Sequence, residues 1–188
     1  MKDDLSFYKM KNVKRIAYVF VFLASQWMTG QKMTVGDYEK AWDNMSKMLI
    51  DTAERIPESL YDQKPNEKIR SFGEQINHLT RSNIGLGMMV FGKRPEFSFD
   101  KKNPPNDKNG IIDLFRKSSD YFKQNLLSLN DSALGDIIEW GRPGSGRKIT
   151  KHQGLLMIYS HFQLEYGKIT IYARLNNIEP APSSGWSF

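Results

Sequence analysis

From residue 34 onward, one pattern marks four helix starts: a capping residue, in three of them an acid or amide three positions later, then apolar side chains at helical spacing. In the first segment Val35, Tyr38, Trp42, Met45, Leu49, Thr52 and Ile56 step by alternating threes and fours, which winds a mostly apolar stripe along one helix face, and Pro57 ends it. A second helix is predicted from Ser71 towards Phe91, with Phe72, Ile76, Leu79 and Leu86 inward. A third spans about 110 to 129, with Ile111, Leu114, Phe115, Phe122, Leu126 and Leu129 inward. The fourth runs from Lys151 to about Asn176 and buries Leu155, Ile158, Phe162, Ile169 and Tyr172; Asn176, Asn177 and Pro180 supply its stop. Thr34 with Asp37, Ser71 with Glu74 and Thr150 with Gln153 read as capping boxes, and Asn109 as an N-cap without its reciprocal partner. Strand-like alternation occurs nowhere at useful length. The expected fold is all-α, a four-helix bundle. The connections near 57–70, 92–108 and 130–149 exceed a tight helical hairpin, so a crossover topology is open.

Ahead of this pattern, KNVKR (residues 11–15) is followed by the apolar run IAYVFVFLAS (residues 16–25) and a polar exit. That is the layout of a bacterial-type secretory signal, with Met10 as an alternative start. The reading divides the chain into a signal at 1–30, a bundle domain at 31–183 and a tail at 184–188, and it implies a periplasmic or secreted protein. The alternative is a buried first helix in a cytoplasmic protein. Removing the signal's five basic and two acidic residues lowers the net charge from +6 to +3, so much of the basicity belongs to targeting. The remaining cations form no basic stripe interleaved with aromatics, which argues against nucleic acid as a partner. Once the signal is removed, no segment is apolar enough for a membrane. The absence of cysteine excludes disulfides and thiolate chemistry, so any metal is held by His, Asp or Glu.

The chain has three histidines. His161 and Glu165, four apart on a helix, lie about 5–6 Å from each other on one face. His152 is nine positions before His161, about 180° around the helix, and is the poorest ligand candidate. If the second and fourth helices face each other, His78 completes a set of two imidazoles and one carboxylate. Three protein ligands with an open position suit zinc, nickel, iron(II) or manganese. Taken by spacing alone, the bland alternative is one satisfied core histidine and an ordinary polar stripe.

Two stretches add a resemblance. IPESLYDQKPNEKIRSFGEQINHLT (residues 56–80), followed by HFQLEYGKITIYARLNNIEPAPS (residues 161–183), resembles the DinB-like, or YfiT-like, family of four-helix-bundle metal-dependent enzymes. The resemblance covers roughly residues 35–183. It implies that His78 and His161 are metal ligands, that the family's third histidine falls at Glu165, and that its usual glutamine or asparagine falls at Lys168. A carboxylate can stand in for imidazole as a harder donor. Lys168, three residues on, can instead pair with Glu165 and compete with a cation. The implied activity is a metal-dependent hydrolase or a thiol-dependent transferase acting on an unknown small molecule. The rival is a metal-free helical binding or dimerisation module that has lost the third histidine, and a homodimer is left open.

Weaker candidates have simpler explanations. Glu74 precedes His78 by one turn, but its capping role accounts for it. Tyr159 and Tyr166 suit the core or its rim. GRPGSGRKIT (residues 141–150) lacks the lysine and hydroxyl of a phosphate loop and follows no predicted strand; its Arg142, Arg147 and Lys148 suit an anionic substrate at most. Expressed in a Gram-negative host, the chain is expected to mature to a start close to Gln31. Intact mass checks this, and an uncleaved cytoplasmic product would return residues 16–25 to the fold.

Overall fold

The three capping boxes form as expected. In the computed structural model, which describes residues 32–141, 144 and 146–182, Asp37 N–H donates to the Thr34 hydroxyl at 3.1 Å and Thr34 N–H returns a bond to Asp37 at 2.9 Å. This opens α1 (Val35–Arg55). The Ser71–Glu74 box opens α2 (Phe72–Phe91), and Gly92, in the left-handed region at φ 67°, closes it by donating to the Met88 carbonyl at 2.9 Å. The Thr150–Gln153 box opens α4 (Lys151–Leu175). Each box satisfies two backbone N–H groups that a helix start would otherwise leave unpaired. The proposed signal segment at 16–25 lies outside the described residues.

The third start differs from the sequence expectation. α3 spans Lys108–Leu127, and its cap is Asp107, which accepts from Gly110 N–H at 2.8 Å; Asn109 lies inside the first turn. Aspartate caps as well as asparagine and adds a negative charge at the positive end of the helix dipole. The cap also explains Gly110: a Cβ there would lie 2.8 Å from the Asp107 carboxylate and 2.9 Å from Pro105. Leu86 and Leu129, expected inward, are only half-buried. Ile84, Gly87 and Val90 turn inward on α2 instead, with Gly87 close against the Tyr121 ring.

Between α3 and α4 a short antiparallel hairpin pairs β1 (Ile137–Glu139) with β2 (Lys148–Thr150), in the register Ile138 opposite Ile149. Arg142 and two neighbours at its tip lie outside the described residues. Strands of three residues are too short to show as alternation in a sequence.

The helices pack in the ring order α1–α3–α2–α4, so the main contacts of both α1 and α2 are with α3 and α4. Consecutive helices α1 and α2 therefore sit on a diagonal, and the 57–71 segment crosses an end of the bundle. This crossover makes α2 and α4 neighbours. The core is aromatic: Trp42 stacks on Phe122 at 3.8 Å between ring centroids and meets the edge of Phe162 at 5.6 Å. Its buried N–H donates to the Ser119 hydroxyl at 3.0 Å, and that hydroxyl donates to Ser46 at 2.8 Å. Thr52, fully buried, accepts from Ala181 N–H at 2.9 Å and so ties the segment after α4 back to α1.

Gly154 sets the contact between α4 and α2. A Cβ there would lie 2.9 Å from Val90 Cγ2 and 3.2 Å from the Trp140 ring. Gly154→Val is expected to cost about 2 kcal/mol by overpacking. Gly85→Ala, at a helical position where a Cβ meets nothing within 4 Å, is expected to gain about 0.5–1 kcal/mol. Paired denaturant titrations check both signs.

Candidate metal centre

Gln75 and His78 lie one turn apart on α2, and His161, Glu165 and Lys168 occupy one face of α4. Because α2 and α4 are neighbours, the five side chains meet. Glu165 is the floor of the arrangement, its side chain only 4% exposed, while the His78 and His161 side chains are 25% and 28% exposed and form the mouth. Each carboxylate oxygen faces one donor and one imidazole. Oε1 accepts from Lys168 Nζ at 2.6 Å and lies 3.8 Å from His161 Nε2. Oε2 accepts from Gln75 Nε2 and lies 4.0 Å from His78 Nε2. The imidazole separations are too long for direct hydrogen bonds, so a gap remains between the two rings and the carboxylate.

Three ligand atoms, one each from His78, His161 and Glu165, lie within 4.8 Å of one another. Ligands about 2.0–2.2 Å from a shared tetrahedral ion sit roughly 3.3–3.6 Å apart. The donor types fit: two neutral imidazoles and one anionic oxygen suit zinc, nickel, iron(II) or manganese. Against this, Lys168 and Gln75 already engage both carboxylate oxygens.

Burial holds both imidazoles below the usual 6.5, with the Arg70 charge adding to the effect and the Glu165 carboxylate opposing it. Neutral rings at pH 7 keep their lone pairs available to a cation. Burial pushes the Glu165 carboxyl up, but hydrogen bonds from Lys168 and Gln75 and the nearby positive charge outweigh it, and the net position is below the usual carboxylate value. Glu165 is therefore ionised at neutral pH.

The other sequence candidates lie elsewhere. His152 Nδ1 is 2.9 Å from the Tyr38 hydroxyl near the start of α4, away from the three ligands. Glu74 is held by Ser71 N–H at 2.7 Å and by Lys64 at 3.1 Å, as its capping role implies. Tyr159 donates to the Tyr38 carbonyl at 2.5 Å, and Tyr166 bonds Thr52 at 3.0 Å. In the 141–150 loop, the Arg147 carbonyl accepts from Trp140 N–H at 2.8 Å, and Lys148 is part of β2. Gln75 was missed, although its place three residues before His78 puts it on the same helix face.

The electrostatics give a testable outcome for the metal-free protein. By NMR, His78 and His161 are expected to titrate below 6.5. Glu165→Gln is expected to move both midpoints further down, because it removes the charge that raises them. Each folded-state value is depressed, so the histidines' stabilising contribution is complete above about 6.5 and is lost as pH falls through 6.5 towards the folded value.

Comparison with known proteins agrees with this architecture. A model of the DinB superfamily matches residues 37–167, a span that includes His78, His161 and Glu165. A DinB-like protein of Bacillus cereus superimposes with a TM-score of 0.68 at 17% identity, over 81% of this chain and 98% of that one. A DinB-like protein of Bacillus subtilis, YjoA, gives 0.59 at 21% identity, over 79% and 94%. YfiT of Bacillus subtilis, described as "a probable metal-dependent hydrolase with an unusual four-helix bundle topology", gives 0.60 at 15% identity, over 81% and 93%. A search of curated proteins returns no match. With its capped helices, its crossover and more than half its length matched by the family model, the chain belongs to the DinB superfamily.

Proposed function

We propose that the chain is a metal-dependent enzyme acting on a small molecule, with one divalent cation held by His78, His161 and Glu165. The observation that carries this reading is the convergence of two half-buried neutral imidazoles and a buried carboxylate from two helices, with ligand atoms within 4.8 Å. The description of YfiT as "a probable metal-dependent hydrolase" supports the same direction. When bound, a divalent ion of this kind supplies Lewis-acid activation of water or of a substrate oxygen. The chain's own residues supply the rest. Glu165 provides the anionic donor, Gln75 fixes its orientation through Oε2, and the two imidazoles present the open side to solvent. Hydrolysis is favoured over thiol-dependent transfer, because the exported location proposed from residues 11–25 has no ready supply of a cytosolic thiol.

A second reading is favoured by a specific contact. Lys168 Nζ at 2.6 Å already neutralises Glu165, which is what a metal-free binding module requires. The two readings separate on Lys168→Met. In a metal enzyme this change removes a competing cation and raises metal affinity. In a metal-free module it strands a buried carboxylate and costs about 3 kcal/mol or more.

The test is elemental analysis, with thermal midpoints, of the full chain purified without a chelating tag and supplemented with zinc, nickel, iron or manganese. Stoichiometric metal is expected in wild type. His78→Ala and His161→Ala are expected to lose it about equally, and His152→Ala to retain it. Glu165→His is expected to keep it, and Gln75→Leu to weaken binding about tenfold through misorientation of the carboxylate. Equal, low occupancy throughout, with Lys168→Met destabilised, would establish the metal-free reading instead.

A further inference from the structure

A cavity of about 590 Å³ adjoins the centre, between the 65–70 segment and the C-terminal half of α4. That volume suits a small organic molecule. Gln75 and Lys168 line it and also hold the two oxygens of Glu165, so one layer of side chains separates the cavity from the candidate metal ligands. Its charge is of one sign: Lys68, Arg70 and Lys168 contribute to the lining, and among the described residues no carboxylate does. Glu74, the acid at the start of α2, is paired with Lys64 at 3.1 Å and with Ser71 N–H at 2.7 Å.

The remaining wall is apolar. Pro65, Ile69, Ile171 and Tyr172 line it, with Ile69 and Ile171 47% and 55% exposed. Isoleucines this exposed beside a concave surface are unused apolar area available to a ligand. Arg70 is also well placed. Its carbonyl accepts the Tyr172 hydroxyl, which ties the residue just ahead of α2 to α4. Its charge is felt at both His78 and His161.

We infer that this cavity binds the anionic end of the substrate: a small molecule with a carboxylate or phosphate group beside a short apolar portion. The oxyanion meets Arg70 and Lys68, and the apolar portion lies on Ile69, Ile171 and Tyr172. The group to be transformed then extends past Gln75 and Lys168 towards the imidazoles. Calling the ligand a substrate rests on the metal-enzyme reading, but the binding itself does not. Guanidinium and ammonium groups give charge-assisted bonds to an oxyanion, and arginine does so in a two-pronged geometry. A cation at the centre would also draw the anion closer. Metal and anion are therefore expected to strengthen each other's binding by the same factor.

The test uses the full chain stripped of metal, titrated by calorimetry and NMR with phenyl phosphate, hexanoate, hexylammonium and hexanol, and by calorimetry with vesicles of anionic phospholipid. Saturable binding of both anions is expected, with hexylammonium and hexanol much weaker. Arg70→Gln and Lys68→Gln are each expected to weaken anion binding about tenfold, and Ile171→Ser to weaken hexanoate about threefold. Lys117→Gln, on α3 and paired with Asp113 at 2.7 Å, is the control expected to change nothing. Thermal midpoints confirm that the surface variants fold. The inference is overturned if neither anion saturates, if hexylammonium binds as well, if Arg70→Gln leaves affinity unchanged, or if only anionic phospholipid vesicles are bound. Elemental analysis of the same preparation after it is reloaded with zinc and freed of excess keeps the two ideas apart. Anion binding by a chain that takes up no metal upholds the cavity and removes the metal centre, and metal uptake without anion binding does the reverse.

Discussion

A carboxylate buried between two helices has to be compensated, and in this bundle that carboxylate is Glu165. With its side chain only 4% exposed, leaving the charge unpaired would cost several kcal/mol. The surrounding residues answer that demand. Lys168 comes from one turn along α4, Gln75 reaches across from α2, and His78 and His161 stand at the mouth. The arrangement is neutral with the lysine in place, and in the proposed metal-bound form a divalent ion takes over that role. Both functional readings follow from this exchange of one positive group for another.

The compensation depends on the route of the chain. Residues 57–71 cross an end of the bundle, so α2 lands beside α4 and not beside α1. Only in that order do Gln75 and Glu165, 90 positions apart, come together. The same crossover brings Lys68 and Arg70 to the edge of α4, opposite Ile171 and Tyr172. The centre and the cationic cavity are thus two results of one topological choice. Gly154, with no room for a Cβ between Val90 and Trp140, keeps α4 close to α2 and the hairpin.

Much of this was readable in advance because it is local. Capping boxes act over three residues, and all three formed; the stripes on α1 and α4 are a matter of helical period; and His161 with Glu165 is a four-residue relation. What was misread or unread involves competition or distance. Asp107 and Asn109 both have the chemistry of a cap, and the choice between them turned on the close approach of Gly110 to Asp107 and Pro105. Leu86 fits the apolar period of α2, yet Ile84, Gly87 and Val90 are the buried positions there, with Gly87 close against the Tyr121 ring. The hairpin at 137–150 is too short to leave a period. The resemblance indicated that His78 belongs with His161, whereas Gln75 as a holder of Glu165 needed the helix pairing itself.

We propose that the position now held by Lys168 at Glu165 belongs, in the working protein, to a divalent ion. Crystals of the full chain loaded with zinc, measured at the zinc absorption edge, test this most directly. The account predicts one anomalous peak about 2.0–2.2 Å from nitrogen atoms of His78 and His161 and from an oxygen of Glu165, with the Lys168 ammonium withdrawn from Oε1. An empty centre with Lys168 still bonded to Glu165, or zinc found only on His152, would contradict it.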